Sequence, residues 1–413
     1  MGKSKKINLS TKTFIGFGLG ILLGVIFKEK IVVVKPLGDL FLRLIKMIVV
    51  PLVFFSIISG VSSIGDIQKL KRVGSKTLLY FIVTTVLSGL IGLFVGRIIK
   101  PGQGFSMASF EGAAQVEAQA APKITDTILN MVPTNIVEAL SKGDLMQIIV
   151  FAVFFGIAMT IIGKKAEIFK DICDTGAEIM YKLTSIVMEF SPIGVTALMA
   201  ASVGKYGVEI FGPLGKLILA DYIGLVLIVL VMYTIMLKFI AKVSLKDFFK
   251  YIVEVWAVTA STTSSSGTLP VTIRVAEEKF NVKGELASFS LPLGATMNMN
   301  GAANYFAVAV IFVSQIYGIE MSLFQQFMII ILSTMISVGA PGIPGGGIVL
   351  TIMLLTTMGL PIDIVGPIAG MYRVLDMGHT TLNVTGDVVS TLCIARTENM
   401  YKTENVNKSL VNN

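Results

Sequence analysis

The sequence predicts an all-α polytopic membrane protein, on three observations. Hydrophobic residues make up 54% of the 413 positions and charged residues only 15%, a balance outside the range of soluble globular domains. Apolar stretches that suit bilayer crossings recur at 14–27, 31–58, 78–98, 145–163, 213–241, 286–314 and 322–338, with a less regular one after 362. Short runs of Ser, Gly, Pro and Asn then interrupt this pattern inside otherwise oily sequence.

The first apolar stretch follows MGKSKKINLSTK and is not trailed by a small-residue cleavage site, so it reads as a retained helix. Basic residues gather beside the spans, at Lys3, Lys5 and Lys6, at Lys69, Lys71, Arg72 and Lys76, at Lys164 and Lys165, and at Lys238, Lys242 and Lys246. Cytoplasmic loops carry such an excess, which places both termini inside a cell inner (plasma) membrane and explains the net charge of +8 without nucleic acid. Cys173 and Cys393 are too few for a disulfide framework, and no Cys/His cluster has metal-ligand spacing, so no cofactor is expected.

The small, polar segment 101–123 reads as an external loop between the third and fourth spans. The fifth region, 168–207, is interrupted at FSPIGV, where Pro192 and Gly194 should kink it. Two later stretches, TASTTSSSGTLPV at 259–271 and SVGAPGIPGGGIV at 337–349, cannot be ordinary helices. Backbone at membrane depth must be satisfied, so each reads as the tip of a re-entrant hairpin, two half-helices meeting at an open turn. Paired breaks of this kind point to a transporter's binding site, because half-helix ends and freed carbonyls hold charged solutes and cations.

Between the hairpins, LPLGATMNMNGAANY (291–305) places Gly, Thr and three Asn inside a span. Small residues pack helices, but Asn298 and Asn300 together fit a site where carbonyl and amide oxygens replace the water of a hard cation. In VLDMGHTTLNVTGDVV (374–389), Asp376, Thr380, Asn383 and Asp387 follow at intervals of four, three and four, on one helical face with His379 beside it. Intramembrane carboxylates are costly, so this face should point into the bundle.

SSSGTLP, LGATMNMNG, GAPGIPGGG and LDMGHTTLNVTGD, in that order, resemble the glutamate/aspartate transporter family, the dicarboxylate/amino acid:cation symporters. The resemblance extends over essentially the whole chain. It implies eight transmembrane helices plus two re-entrant helical hairpins, inverted repeats, and a homotrimeric, sodium-coupled elevator transporter. The first two helices (1–75) and the fourth and fifth (124–208) would form a scaffold. The third helix (76–100) and residues 209–398 would form the moving transport domain, with residues 399–413 as a cytoplasmic tail. Within it, hairpin 1 would span 247–280, the seventh helix 285–314, hairpin 2 320–356 and the eighth helix 362–397.

Carried over by residue, the resemblance gives Asp376 to the substrate's amino group and Asn383 to its main-chain carboxylate. Ser265 and the backbone near Ile343 and Gly347 would help hold that carboxylate, Thr380 would complete the pocket, and Ala302 and His379 would face the side chain. One sodium site would use Gly294, Asn298, Asn383 and Asp387; a second would use Thr296, Met299, Ser337, Val338 and Ala340.

The sequence departs from the acidic-substrate pattern in four places. His379 stands for the arginine that clamps the side-chain carboxylate, and Ala302 for an assisting threonine. A further arginine expected before the serine run or after Asp376 is missing, since those positions are Thr263 and Met377. Asn300 and Phe81 replace the aspartate and tyrosine of a third cation site, leaving Thr84, Thr85 and Asn298. A neutral or polar amino acid and fewer coupled sodium ions are therefore expected. The alternative is glutamate or aspartate bound by a protonated His379, with Arg373 six residues, about 9 Å of helix, away. A passive channel is a more distant reading. An enzyme built on Ser264, Ser265 or Ser266 with His379 and Asp376 lacks any nucleophile motif.

Overall fold

The computed structural model describes residues 9–63, 71–105, 129, 132–338 and 345–402. These are almost entirely helical, and the one β pairing among them is an isolated bridge between Val282 and Tyr401. Most of the 101–123 loop, most of the 399–413 tail, Lys3 to Lys6 and Lys69 lie outside the described residues.

Five segments are long and apolar enough to cross a membrane: Thr11–Ser59, Arg72–Ile99, Gln147–Met188, Val208–Ala241 and Gly284–Ile316. In chain order, α1 (Leu9–Phe27) passes through a 3₁₀ stretch into α2 (Lys35–Ser63), and α3 is Lys71–Ile99. The short α4 (Ile136–Lys142) precedes α5 (Leu145–Ile162) and α6 (Glu167–Met188). α7 (Ser191–Tyr206) follows after a break at Glu189 and Phe190. The kink thus falls just before Pro192, because a helix's first turn tolerates proline while its interior does not.

α1, α2, α5, α6 and α7 form one packing group, with α1 laid along α7 and α2 against the other three. The second group is built around α12 (Asn300–Ile316), almost wholly buried because it is apolar on all sides. α3 and α8 (Phe211–Leu227) flank it. Large apolar side chains such as Phe154, Ile161, Phe169, Val226 and Leu230 point outward, as hydrocarbon surroundings allow.

α8 continues through π-helical turns at Ile228–Tyr233 and Met236–Ala241, and there the Thr234 hydroxyl donates to the carbonyl of Val229, five residues back. The first hairpin is α9 (Leu245–Thr262) and α10 (Ser265–Glu278). Its break is narrower than the sequence suggests, only Thr263 and Ser264. Flanking hydroxyls stay helical by bonding back to carbonyls four residues earlier, Thr262 to Val258 and Thr268 to Ser264.

α11 (Gly284–Met297) stops before Asn298, and α12 restarts at Asn300. The span is unwound where LGATMNMNG predicts. α13 (Leu323–Val338) and α14 (Gly346–Thr357) fall where the second hairpin is expected. Residues 339–344, Ala340 and Ile343 among them, lie outside the described residues. α15 (Val365–Thr397) closes the fold.

Candidate binding site between the two hairpins

α15 is unbroken, so Asp376, Thr380, Asn383 and Asp387 share a face as their spacing predicts, and all four are buried. Both hairpins reach Asp376. Its Oδ2 accepts the N–H of Gly345 at 3.1 Å, and Thr263, at the turn of the first hairpin, hydrogen-bonds the same side chain. Gly345 has φ 78°, a left-handed conformation that glycine adopts without strain. Ser265 is buried at the start of α10, and the Ser264 hydroxyl caps that helix by accepting the Gly267 N–H at 3.0 Å.

Arg373, one turn before Asp376, turns toward the first hairpin. Its guanidinium donates to the Thr263 hydroxyl and, at 2.7 Å, to the Ser261 carbonyl. This corrects the expectation that Thr263 leaves the pocket without a cation. The charge arrives from α15 along a long side chain, a reach that helix spacing does not reveal.

His379 is 2% exposed, and its Nε2 lies 2.8 Å from Oδ2 of Asp221, on α8. The ring sits 4.7 Å from that of Tyr305 and 6.1 Å from that of Tyr372. The Tyr372 hydroxyl fills the space a side chain at Gly347 would need, while Ala302 is buried on α12. His379 Nε2 is on Asp221 and its other nitrogen has no partner, so among the described residues the ring meets no serine. Sequence reading missed Asp221; its signal was a lone carboxylate in the 213–241 span.

Around the unwound turn, Asp387 Oδ1 accepts from Asn298 Nδ2 at 2.8 Å, and the Asn298 N–H bonds the Gly294 carbonyl at 2.9 Å. Only a glycine at 294 leaves room for the Asp387 carboxylate above it. Asn383 Oδ1 accepts the Gly301 N–H at 2.7 Å, and its Nδ2 lies 3.2 Å from the Met299 sulfur. Gly294, Asn298, Asn383 and Asp387 thus meet at one break, and a carboxylate among carbonyl and amide oxygens suits a small hard cation.

Of the second set, Thr296, Met299, Ser337 and Val338 are described and Ala340 is not. Thr296 is exposed, and its hydroxyl bonds back to the Leu293 carbonyl at 3.0 Å. The Ser337 hydroxyl donates to the Ser333 carbonyl at 2.6 Å, which leaves the Ser337 carbonyl expected at this site as a separate group, and Val338 ends α13. The third set is brought together but closed on itself. Thr85 donates to Asn300 Oδ1 at 2.9 Å, Asn300 Nδ2 donates to the Tyr233 hydroxyl at 2.8 Å, and Tyr233 donates to the Leu382 carbonyl at 3.1 Å. Thr84 meets Asn298 Oδ1 at 3.3 Å beside the buried Phe81.

Long apolar helices and buried carboxylates facing an unwound turn are consistent with a helical membrane transporter. The chain belongs to the sodium:dicarboxylate symporter family, whose model matches residues 9–397. It is 36% identical over 412 residues to a proton/sodium-glutamate symport protein of Geobacillus stearothermophilus, covering 97% of each chain. It is 35% identical over 399 residues to a proton/glutamate-aspartate symporter of Bacillus subtilis, covering 95% of this chain and 96% of that one. A C4-dicarboxylate transport protein of Bacillus subtilis is 30% identical over 401 residues, with 95% and 94% covered. The protein is thus a membrane transporter of the symporter class and not an enzyme.

Proposed function

We propose that the protein is a cation-coupled symporter for an acidic amino acid, glutamate or aspartate, in the cell inner membrane. The observation that carries this reading is the guanidinium of Arg373 at the first hairpin's turn, next to Asp376. An acidic amino acid brings one ammonium and two carboxylates. Asp376 suits the ammonium, Asn383, Ser265 and the second hairpin the main-chain carboxylate, and Arg373 or a protonated His379 the side chain. Asp376 argues against a C4-dicarboxylate, which has no ammonium to meet it.

The neutral substrate expected from His379 and Ala302 loses its support. The pocket does have a cation beside it, and the three relatives named above carry glutamate, glutamate and aspartate, or C4-dicarboxylates. Sodium binds at Asp387 in this reading, and the self-satisfied Asn300 region supports fewer sodium ions per cycle.

In this reading the two packing groups are the scaffold and the transport domain of an elevator-type homotrimer with both termini inside. Two of the five apolar segments, of 49 and 42 residues, are long enough for two crossings each, which with α15 supports eight membrane helices. The test is sodium-driven uptake into proteoliposomes, comparing labelled glutamate and aspartate with serine, alanine and methionine at mildly acid and mildly alkaline pH. Glutamate or aspartate uptake that strengthens as pH falls is expected. Preference for uncharged amino acids at both pH values would return the assignment to a neutral carrier.

A further inference from the structure

Asp221 is the buried charge that the reading above leaves without a task. It is fully buried within an apolar membrane helix, where an unpartnered carboxylate is costly. Oδ1 accepts from Asn304 Nδ2 at 2.9 Å, and Oδ2 meets His379 Nε2 at 2.8 Å. Asn304 Nδ2 also reaches the Asp221 main-chain carbonyl at 3.1 Å.

Close helix packing assembles this cluster. Side-chain atoms at Gly224 of α8 would overlap Asn304, and a Cβ at Gly301 of α12 would come within 2.6 Å of the His379 backbone. The groups around the ring are Asp221 from α8, Tyr305 from α12, and Tyr372 and Asp376 from α15 itself. Tyr222, beside Asp221, spends its hydroxyl on the Val374 carbonyl at 2.6 Å. Two atoms of the cluster are buried without a partner, Asn304 Oδ1, which lies against Gly224, and His379 Nδ1.

A carboxylate anion only accepts hydrogen bonds, so beside Asp221 in that form Nε2 of His379 carries the bridging hydrogen. Nδ1 then holds a lone pair in the neutral ring and an N–H in the imidazolium. A lone pair repels a substrate carboxylate; an N–H binds it.

We propose that Asp221 is a positioning residue that sets specificity through His379: it commits Nε2 and leaves Nδ1 as the nitrogen offered to the substrate's side chain. This rests on the placement of His379 at the substrate side chain, as in the proposed function. In Asp221→Asn the amide turns its oxygen to Asn304 Nδ2, which still needs an acceptor, and its NH₂ to Nε2. The neutral ring then carries its hydrogen on Nδ1, a donor that needs no added proton.

Because the chain holds a single histidine, imidazole ¹⁵N NMR of the purified wild-type protein reads this tautomer without assignment and without a variant. The Nε2–H form is expected in alkaline buffer; an Nδ1–H form overturns the proposal. In proteoliposomes at alkaline pH, D221N should raise the glutamate-to-glutamine uptake ratio about tenfold over wild type, the worth of one hydrogen bond to a charged group. Asp221→Glu, which keeps the acceptor, should restore the wild-type ratio. Loss of both uptakes in parallel, with the ratio unchanged, would mark Asp221 as structural and overturn the proposal. If wild type takes up no glutamate or aspartate at either pH, the acidic-substrate reading fails by itself. The serine-to-alanine ratio then carries the test, because serine donates to a bare Nδ1 and alanine cannot; no change in D221N overturns the inference there too.

Discussion

Asn298 and Asn300 stand two residues apart at the same unwound turn, yet the pockets they serve differ. On the Asn298 side, Asp387 keeps a carboxylate that receives one amide hydrogen bond, with oxygen lone pairs to spare for a cation. On the Asn300 side, the neutral amide has both ends engaged, by Thr85 and by Tyr233. A charge can hold a cation site open, whereas an amide can satisfy itself with its neighbours and close one.

The comparison breaks most sharply at the charge. Asp387→Ala should lower apparent sodium affinity about a hundredfold or more, read from substrate uptake against sodium concentration. Unchanged sodium dependence would remove Asp387 from the cation pocket. The reverse exchange, Asn300→Asp, should reopen the closed side. The sodium-to-substrate flux ratio rises by one ion, while the sodium-free protein loses thermal stability because the new carboxylate lacks a partner. An unchanged flux ratio would mean that a carboxylate alone does not make a site there.

Tyr233→Phe tests whether the closed side is a structural pin. It strands Asn300 Nδ2 and should cost about 1–3 kcal/mol, measured by unfolding in detergent, with sodium dependence unaltered. The smallest effect is expected far from both pockets, at the edge of α15. There the hydrogen bond from Lys76, and then the Arg72 guanidinium, hold the Glu398 carboxyl below its usual range. A carboxyl with a depressed folded value adds stability that is complete above the ordinary glutamate pKa of about 4.3 and is lost as pH falls through the folded value. Glu398→Gln should therefore reduce thermal stability slightly at neutral pH and be silent in strong acid.

Much of this organisation was legible in the sequence. Ser, Gly and Asn inside oily stretches marked the first hairpin and the unwound turn, because backbone freed inside a membrane must have a reason. The spacing of Asp376 to Asp387 fixed their common face. Features that depend on residues far apart in sequence were not legible. Asp221 and His379 are 158 positions apart, and only the packing of α8 beside α15 pairs them. Tyr233 supplies a hydroxyl that Phe81 cannot, and its π-helical setting leaves no mark in apolar periodicity. Arg373 was named from its place on the helix, but its contact with Thr263, 110 positions away, depends on the reach of a guanidinium that helix rise does not measure.

The contact from Gly345 to Asp376 bears on the journey the protein makes with nothing aboard. In the proposed cycle, cargo leaves on one side and the vacant carrier must travel back through hydrocarbon. A naked carboxylate would resist that passage and confine the protein to swapping one cargo molecule for another. The Gly345 N–H donates to Asp376 from the position just before α14 begins. In the proposed cycle that N–H would stand in for the ammonium on the return, and one-way accumulation would stay open.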